Sequence, residues 1–386
     1  MKTNRRRFLA RVSAVGAAAA VGPVLEASFG HAGRPADPQA VPRDRPGGTH
    51  SIVSRELPQI FIDPCMQIWP DADLTTAHRH GVTAYGVTAW DPNVTVDAAL
   101  KGLMSWRLIA RQHPNLLIVE QAEDIRRAKK EGKAGLLLAA QDGDWIGKEL
   151  HRIEAFQRLG LRMMLVAYNR GNNIADGCLD RTNHGLTRFG ELVVDECNRV
   201  GIVLDCSHLG TRSALETIER SKHPCVFSHS NPAALVPNPR NIDDESITRC
   251  AARGGVICLV TWGPLVMKPG ANRRPAVDDF IDLVDHVVRL TGGTDHVGVS
   301  TDMSIGTYPL HERDPWGDPG YPNPAAEYDK AVTADVRSPR RNIEGFDDYA
   351  QVGSCADRLQ ARGYSSADVE RMLGGNLLRV FEAVWG

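Results

Sequence analysis

Two short stretches decide the fold: Gly201-Ile202-Val203-Leu204-Asp205-Cys206-Ser207-His208 and Pro224-Cys225-Val226-Phe227-Ser228-His229. Each is an apolar run that ends in small or polar residues and a histidine. A strand with one wet face alternates apolar and polar residues, whereas a run without alternation is covered on both faces, as in a parallel sheet. Between the two lies Ser213 to Ser221, an amphipathic stretch that reads as a helix, and parallel strands require such a crossover. The pattern extends outward in both directions. Strands are expected at Ile60 to Asp63, Ala84 to Thr88, Gly135 to Ala140, Arg162 to Ala167, Gly201 to Cys206, Pro224 to Ser228, Gly255 to Thr261 and His296 to Ser300. Helices are expected at Ala122 to Glu131, Phe189 to Val200, Ser213 to Ser221, Asp243 to Arg253 and Val277 to Leu290. Eight strands alternating with helices predict an α/β fold, a (β/α)8 TIM barrel. No glycine-rich dinucleotide fingerprint follows the first strand, which argues against a doubly wound open sheet.

The 386 residues are 42% hydrophobic and 24% charged, with a formal net charge of −2. This is ordinary globular composition, and its charge balance gives no footprint for nucleic acid. Beyond roughly the first 30 residues no long apolar run occurs, so no membrane span is expected after signal removal. The N-terminus reads differently. Asn4-Arg5-Arg6-Arg7-Phe8-Leu9 precedes an Ala-rich run from Val12 to Leu25 and small residues near Gly30-His31-Ala32. Paired arginines before such a run predict a twin-arginine export signal over 1–32, a flexible linker over 33–58 and the barrel over 59–386. The twin-arginine export machinery is then a partner, and the destination is periplasmic or secreted. Cys206, Cys225 and Cys258 sit inside apolar runs and no CxxC pair occurs, so mostly free, buried thiols are expected. Gly306 to Asn342, rich in Pro, Asp and Arg, is expected to form a long loop over the active face. Ser365-Ser366-Ala367-Asp368 is a helix-cap signal.

Working residues of a barrel stand at the C-terminal ends of its strands. Those ends supply Asp63, Cys65, Gln67, Trp90, Gln141, Tyr168, His208, His229, Trp262 and Asp302. Two histidines and an aspartate at three such ends can hold a divalent metal and a base.

Several motifs carry a family resemblance. Asp205-Cys206-Ser207-His208, Phe227-Ser228-His229-Ser230, Asn238-Pro239-Arg240-Asn241-Ile242 and Asp295-His296-Val297-Gly298 leading to Asp302 stand in order along the chain. With Asn172-Asn173-Ile174-Ala175-Asp176 and Gly374-Gly375-Asn376-Leu377 they resemble the renal (membrane) dipeptidase family, peptidase family M19 of the amidohydrolase superfamily. The resemblance runs from about residue 60 to the C-terminus and implies an amidohydrolase-like barrel with a zinc centre. It implies His208 and His229 as metal ligands, Asp302 as the acceptor of a proton from the attacking water, and Arg240 as the partner of the substrate carboxylate. The chain also departs from the pattern. Cys65 and Gln67 stand where the family has a His-x-Asp pair, Gln141 where it has a bridging glutamate, and Tyr168 where it has a carbonyl-polarising histidine. With two anionic ligands and one imidazole gone, one metal per chain is expected, held by His208, His229 and Cys65 with an open fourth position. Gln67 and Gln141 are left as substrate-binding groups. Tyr168 either donates a hydrogen bond to a substrate oxygen or fills space.

The expected function is that of an exported, dipeptidase-like metallohydrolase acting on an amide or related bond of a small carboxylate-bearing or short-peptide substrate. The alternatives are a biosynthetic or maturation enzyme (lyase, isomerase or oxidation-step accessory) working through Cys65, and a catalytically silent binding homologue. Monomer and homodimer both remain open.

Overall fold

A computed structural model describes residues 59–69, 71–306 and 341–386. The expected export signal and linker, and most of the expected loop after residue 306, lie outside the described residues. The strands are β1 (Ile62–Ile68), β2 (Ala84–Thr88), β3 (Leu116–Ile118), β4 (Ala134–Ala140) and β5 (Leu161–Leu165). They continue as β6 (Val203–Asp205), β7 (Val226–Phe227), β8 (Val256–Val260), β9 (Val297–Ser300) and β10 (Ser304–Ile305). All pair in parallel, in the order β10-β1-β2-β4-β5-β6-β7-β8-β9, with β3 paired to β4. Each of the eight expected runs is a strand, and the fold is α/β with one parallel sheet. β4, β5 and β8 are buried along their whole length, which is why their sequences show no alternation.

Three details differ from the sequence reading. β1 runs through Cys65 and Gln67 rather than stopping at Asp63, because its second half pairs with β10 (Gln67 with Ser304). β3 and β10 are too short to leave a pattern in the sequence. The ends of the curled sheet do not meet in a regular β1–β9 ladder. They are joined by β10, by the Asp302 amide donating to the Cys65 carbonyl (3.0 Å) and by the Asp63 side chain. The helices fall as expected, within a residue or two: Ala122–Glu131, Arg188–Val200, Thr211–Arg220, Asp244–Ala252 and Val277–Thr291. Ser365 caps its helix by accepting from the Asp368 amide. Gly201, at φ +75, ends the 188–200 helix in a left-handed turn that delivers the chain into β6. No helix among the described residues is long and apolar enough to cross a membrane, and all eight cysteines are free, seven of them buried.

Two buried carboxylates fasten the strand ends. Asp63 accepts from the Cys65 amide (3.3 Å), the Thr301 amide (3.1 Å) and hydroxyl (2.5 Å), and the Tyr349 hydroxyl (2.8 Å). Asp205 does the same across β6 and β7, accepting from the amides of Ser207 (2.9 Å) and Ser228 (3.0 Å) and from the Ser228 hydroxyl. Burial raises the Asp63 carboxyl to about 6 against the pull of the Thr301 and Tyr349 hydroxyls. A folded-state pKa above the ordinary 3.8 means that the folded protein holds the extra proton. The contribution to stability is therefore complete below about pH 4 and is lost as pH rises through about 6. The stability advantage of wild type over Asp63→Asn, read from urea midpoints, should shrink by about 2–3 kcal/mol between pH 4 and pH 7. An advantage that is constant or grows with pH contradicts this role for Asp63.

Candidate active site

His208 and His229 follow β6 and β7 and are both buried. His208 takes a left-handed backbone (φ +64), as does Asp302 (φ +50), and non-glycine residues held there cluster at functional sites. The two rings face each other, with Nε2 to Nε2 at 2.8 Å. Their outer nitrogens fix the tautomers. His208 Nδ1 lies 2.6 Å from the Asn169 side-chain oxygen, so it carries the proton and donates it. Ser228 donates its single hydroxyl proton to Asp205 and therefore accepts from His229 Nδ1–H at 2.6 Å. With Nδ1 protonated on both rings, the two Nε2 lone pairs would face one another across this contact. Burial, with the Arg240 charge behind it, holds both imidazoles well below the usual histidine range. Tyr168 stacks on the His208 ring at 4.0 Å between centroids.

The remaining expected residues gather in a second group. The Asp302 carboxylate accepts from Gln67 Nε2 (2.9 Å) and from the Cys65 thiol (3.7 Å). Gln141 Nε2 donates to Cys65 Sγ (3.4 Å). Burial comes first in raising the Asp302 carboxyl, opposed by the Arg341 charge and by Gln67. Burial, reinforced by Asp302 and Asp63, pushes the Cys65 thiol well above its usual range. A small cavity has Cys65 and Gln141 of the second group in its walls together with Asp205 and Ser228, which brace the histidine side, while His208, His229, Tyr168 and Asp302 do not line it.

Facing imidazole lone pairs, each ring oriented through Nδ1, are the donor chemistry of a zinc site. His208 and His229 fit a metal. Cys65 is joined to Asp302 and Gln141 instead, and among the described residues no three His, Cys, Asp or Glu side chains form a metal-holding group. The expected three-ligand set is not assembled here.

Arg240 is buried and donates to the Ser230 hydroxyl (2.8 Å) and the His229 carbonyl (2.7 Å). The acidic residues beside it in sequence are used elsewhere: Asp243 caps a helix and Asp244 pairs with His286. Its guanidinium stands beside the histidine pair as a fixed positive charge. Two contributors escaped the sequence reading. Asn169 sets the His208 tautomer, and its one signal is its place directly after Tyr168 at a strand end. Arg341, buried, donates to Gln67 Oε1 (3.2 Å), the Asp302 carbonyl (2.9 Å) and the Ser304 hydroxyl (2.6 Å). It arrives from 39 residues away, where no local pattern marks it.

The profile of the membrane dipeptidase family, peptidase family M19, matches residues 71–314. The chain belongs to the membrane dipeptidase family. Among curated relatives of this dipeptidase-family chain, Dipeptidase tcpJ of Claviceps purpurea is 25% identical over 282 residues, covering 72% of this chain and 57% of the relative. Dipeptidase 3 of Rattus norvegicus is 25% identical over 296 residues, covering 75% and 52%. The chain thus spans about half the length of the curated relatives it matches. Of solved structures, an amidohydrolase from Pseudomonas aeruginosa is 28% identical with a TM-score of 0.72, over 85% of this chain and 97% of that one. A metallo peptidase from Rhodobacter sphaeroides, liganded with a phosphinate mimic of L-Ala-D-Ala, shares the fold at 18% identity and a TM-score of 0.68, over 85% and 100%.

Ser228 is the joint between Asp205 and His229. Ser228→Ala should lower the stability of the dipeptidase-family chain by about 1–3 kcal/mol in urea unfolding, because the buried His229 Nδ1–H loses its acceptor and Asp205 Oδ2 loses the Ser228 hydroxyl. A change below about 0.5 kcal/mol would mean that the relay does not hold the ring.

Proposed function

We propose that this chain is a metal-dependent hydrolase that cleaves an amide or related bond in a small, carboxylate-bearing molecule, with one zinc ion per chain at His208 and His229. The observation that carries this reading is the buried imidazole pair whose Nε2 atoms face each other at 2.8 Å, each ring held from outside through Nδ1. Two opposed lone pairs are relieved by one shared electrophile. Zinc bound there would act as a Lewis acid towards the scissile carbonyl and the attacking water. The chain's own residues do the rest. Arg240, a charge beside the pair with no carboxylate partner among the described residues, anchors the substrate carboxylate through a bidentate guanidinium contact. Asp302, held by Gln67 and raised above the ordinary carboxyl range by burial, takes the proton from the attacking water. Tyr168 holds the His208 ring by stacking. Gln67 and Gln141 carry no charge, and Arg341 places a guanidinium against Gln67, so this half of the site has little to offer a second dication.

The curled parallel sheet is read as an amidohydrolase-like (β/α)8 barrel with its active face at the C-terminal strand ends. The N-terminal arginine motif supports export to a periplasmic or secreted location. A Cys65 nucleophile gains no support, because the raised thiol pKa keeps the reactive thiolate scarce.

Elemental analysis of purified protein should find about one zinc per chain, lost in His208→Ala and in His229→Ala and kept in Cys65→Ser. Equal loss in Cys65→Ser would restore the three-ligand set, and zinc kept in both histidine variants would end the proposal. Ordinary dipeptides should be poor substrates. Each missing group can cost a few kcal/mol of transition-state stabilisation, which together place turnover of L,L- and L,D-dipeptides several orders of magnitude below that of a competent relative. Robust zinc-dependent cleavage of that panel would show that Cys65, Gln67 and Gln141 build a full dipeptidase centre.

A further inference from the structure

The loops after β2, β4 and β5 meet at a second acidic place that the hydrolytic reading does not use. Asp142 and Asp144, on either side of Gly143 just beyond β4, hold their carboxyl groups within hydrogen-bonding reach of each other. Asp142 is only 1% exposed. Its Oδ2 accepts from the backbone amide of Asn93, a residue in the left-handed region (φ +63), and its Oδ1 has no partner. Asp144, half-buried, reaches the side chain of Asn172. The indole N–H of Trp90, buried and also without a partner, faces the same Asp142 carboxyl. A Cβ on Gly143 would meet the Val166 carbonyl at 2.9 Å, so the segment after β5 presses directly on this turn. Among the described residues no lysine or arginine pairs with either carboxylate.

Two adjoining carboxylates, one fully buried and with an orphaned lone pair, are costly to keep without a counter-charge. The donors are hard oxygens, with no thiol or imidazole among them. That chemistry selects Ca2+ or Mg2+ over zinc. We propose that Asp142 and Asp144 bind a hard divalent cation of the Ca2+ or Mg2+ class, which ties the loops after β2, β4 and β5 together beside the active face. The Asp142 Oδ1 lone pair is a ligand, Asp144 supplies the second carboxylate, and water completes the shell. One of those waters accepts from the Trp90 N–H.

The site carries its own reporters. Trp145 donates to the Asp142 carbonyl (3.0 Å) and meets Trp90 edge-on at 5.6 Å. Full-length protein is titrated with CaCl2 and, separately, MgCl2 while tryptophan fluorescence and thermal unfolding are followed. One of the two cations should give a saturable fluorescence change with half-saturation between about 10⁻⁵ and 10⁻³ M. At tenfold excess, Tm should rise by about 2–5 °C. Both responses should vanish in Asp142→Asn and Asp144→Asn and survive in His208→Ala, which separates this site from the histidine pair. If Asp142→Asn fails to fold, the half-buried Asp144→Asn decides alone. No saturable response in wild type, a response that survives Asp144→Asn, or a fluorescence change produced by acidification and by neither cation overturns the proposal.

Discussion

Two buried carboxylates, Asp63 and Asp205, impose the geometry on which the site depends. Each sits on a strand and accepts the amide two residues ahead together with an amide of a neighbouring strand end. An ionisable group in a dry interior is tolerated only when such donors surround it. Where these are supplied by adjacent strand ends, the chain has little freedom in how it leaves the sheet. Asp63 draws together the first and last strands of the curled sheet and so sets Cys65 and Gln67 against Asp302. Asp205 draws β6 and β7 together and, through Ser228, aims His229 at His208. The left-handed backbones of His208 and Asp302 are residues the chain would not choose on local preference, and they persist because these contacts over-determine them.

The site has two halves of different character. The histidine half offers neutral lone pairs, each ring braced from outside by Asn169 or Ser228. The Cys65 half is a closed hydrogen-bonded cluster in which Asp302, Gln67 and Arg341 already satisfy one another. A cluster whose polar groups are paired among themselves has no need of an ion, whereas opposed lone pairs do. This asymmetry, more than the identity of any one altered residue, favours one metal over two.

Much of this was legible in the sequence. The eight strands read correctly because burial on both faces leaves unbroken apolar runs, and the helices because their caps and apolar spacing are local. His208, His229 and Asp302 were findable as strand-end residues. Other features were hidden for a physical reason: they depend on partners far along the chain. The extension of β1 through Cys65 follows from pairing with β10, more than 230 residues on. Arg341 reaches the site from beyond a long intervening segment. The ring-to-ring contact, and the binding of Cys65 to Asp302 and Gln141 instead of to the histidines, are matters of side-chain direction that spacing does not encode.

In the proposed site, His208 and His229 present two unprotonated Nε2 atoms to one metal. Two-bond ¹H–¹⁵N spectra of the histidine side chains in ¹⁵N-labelled protein, recorded on metal-free and zinc-loaded samples, test it most directly. Both rings should be Nδ1–H tautomers in the zinc-loaded protein, and both Nε2 signals, but neither Nδ1 signal, should move on zinc addition. A ring that keeps an Nε2–H donating to its neighbour, with spectra unchanged by zinc, would contradict it.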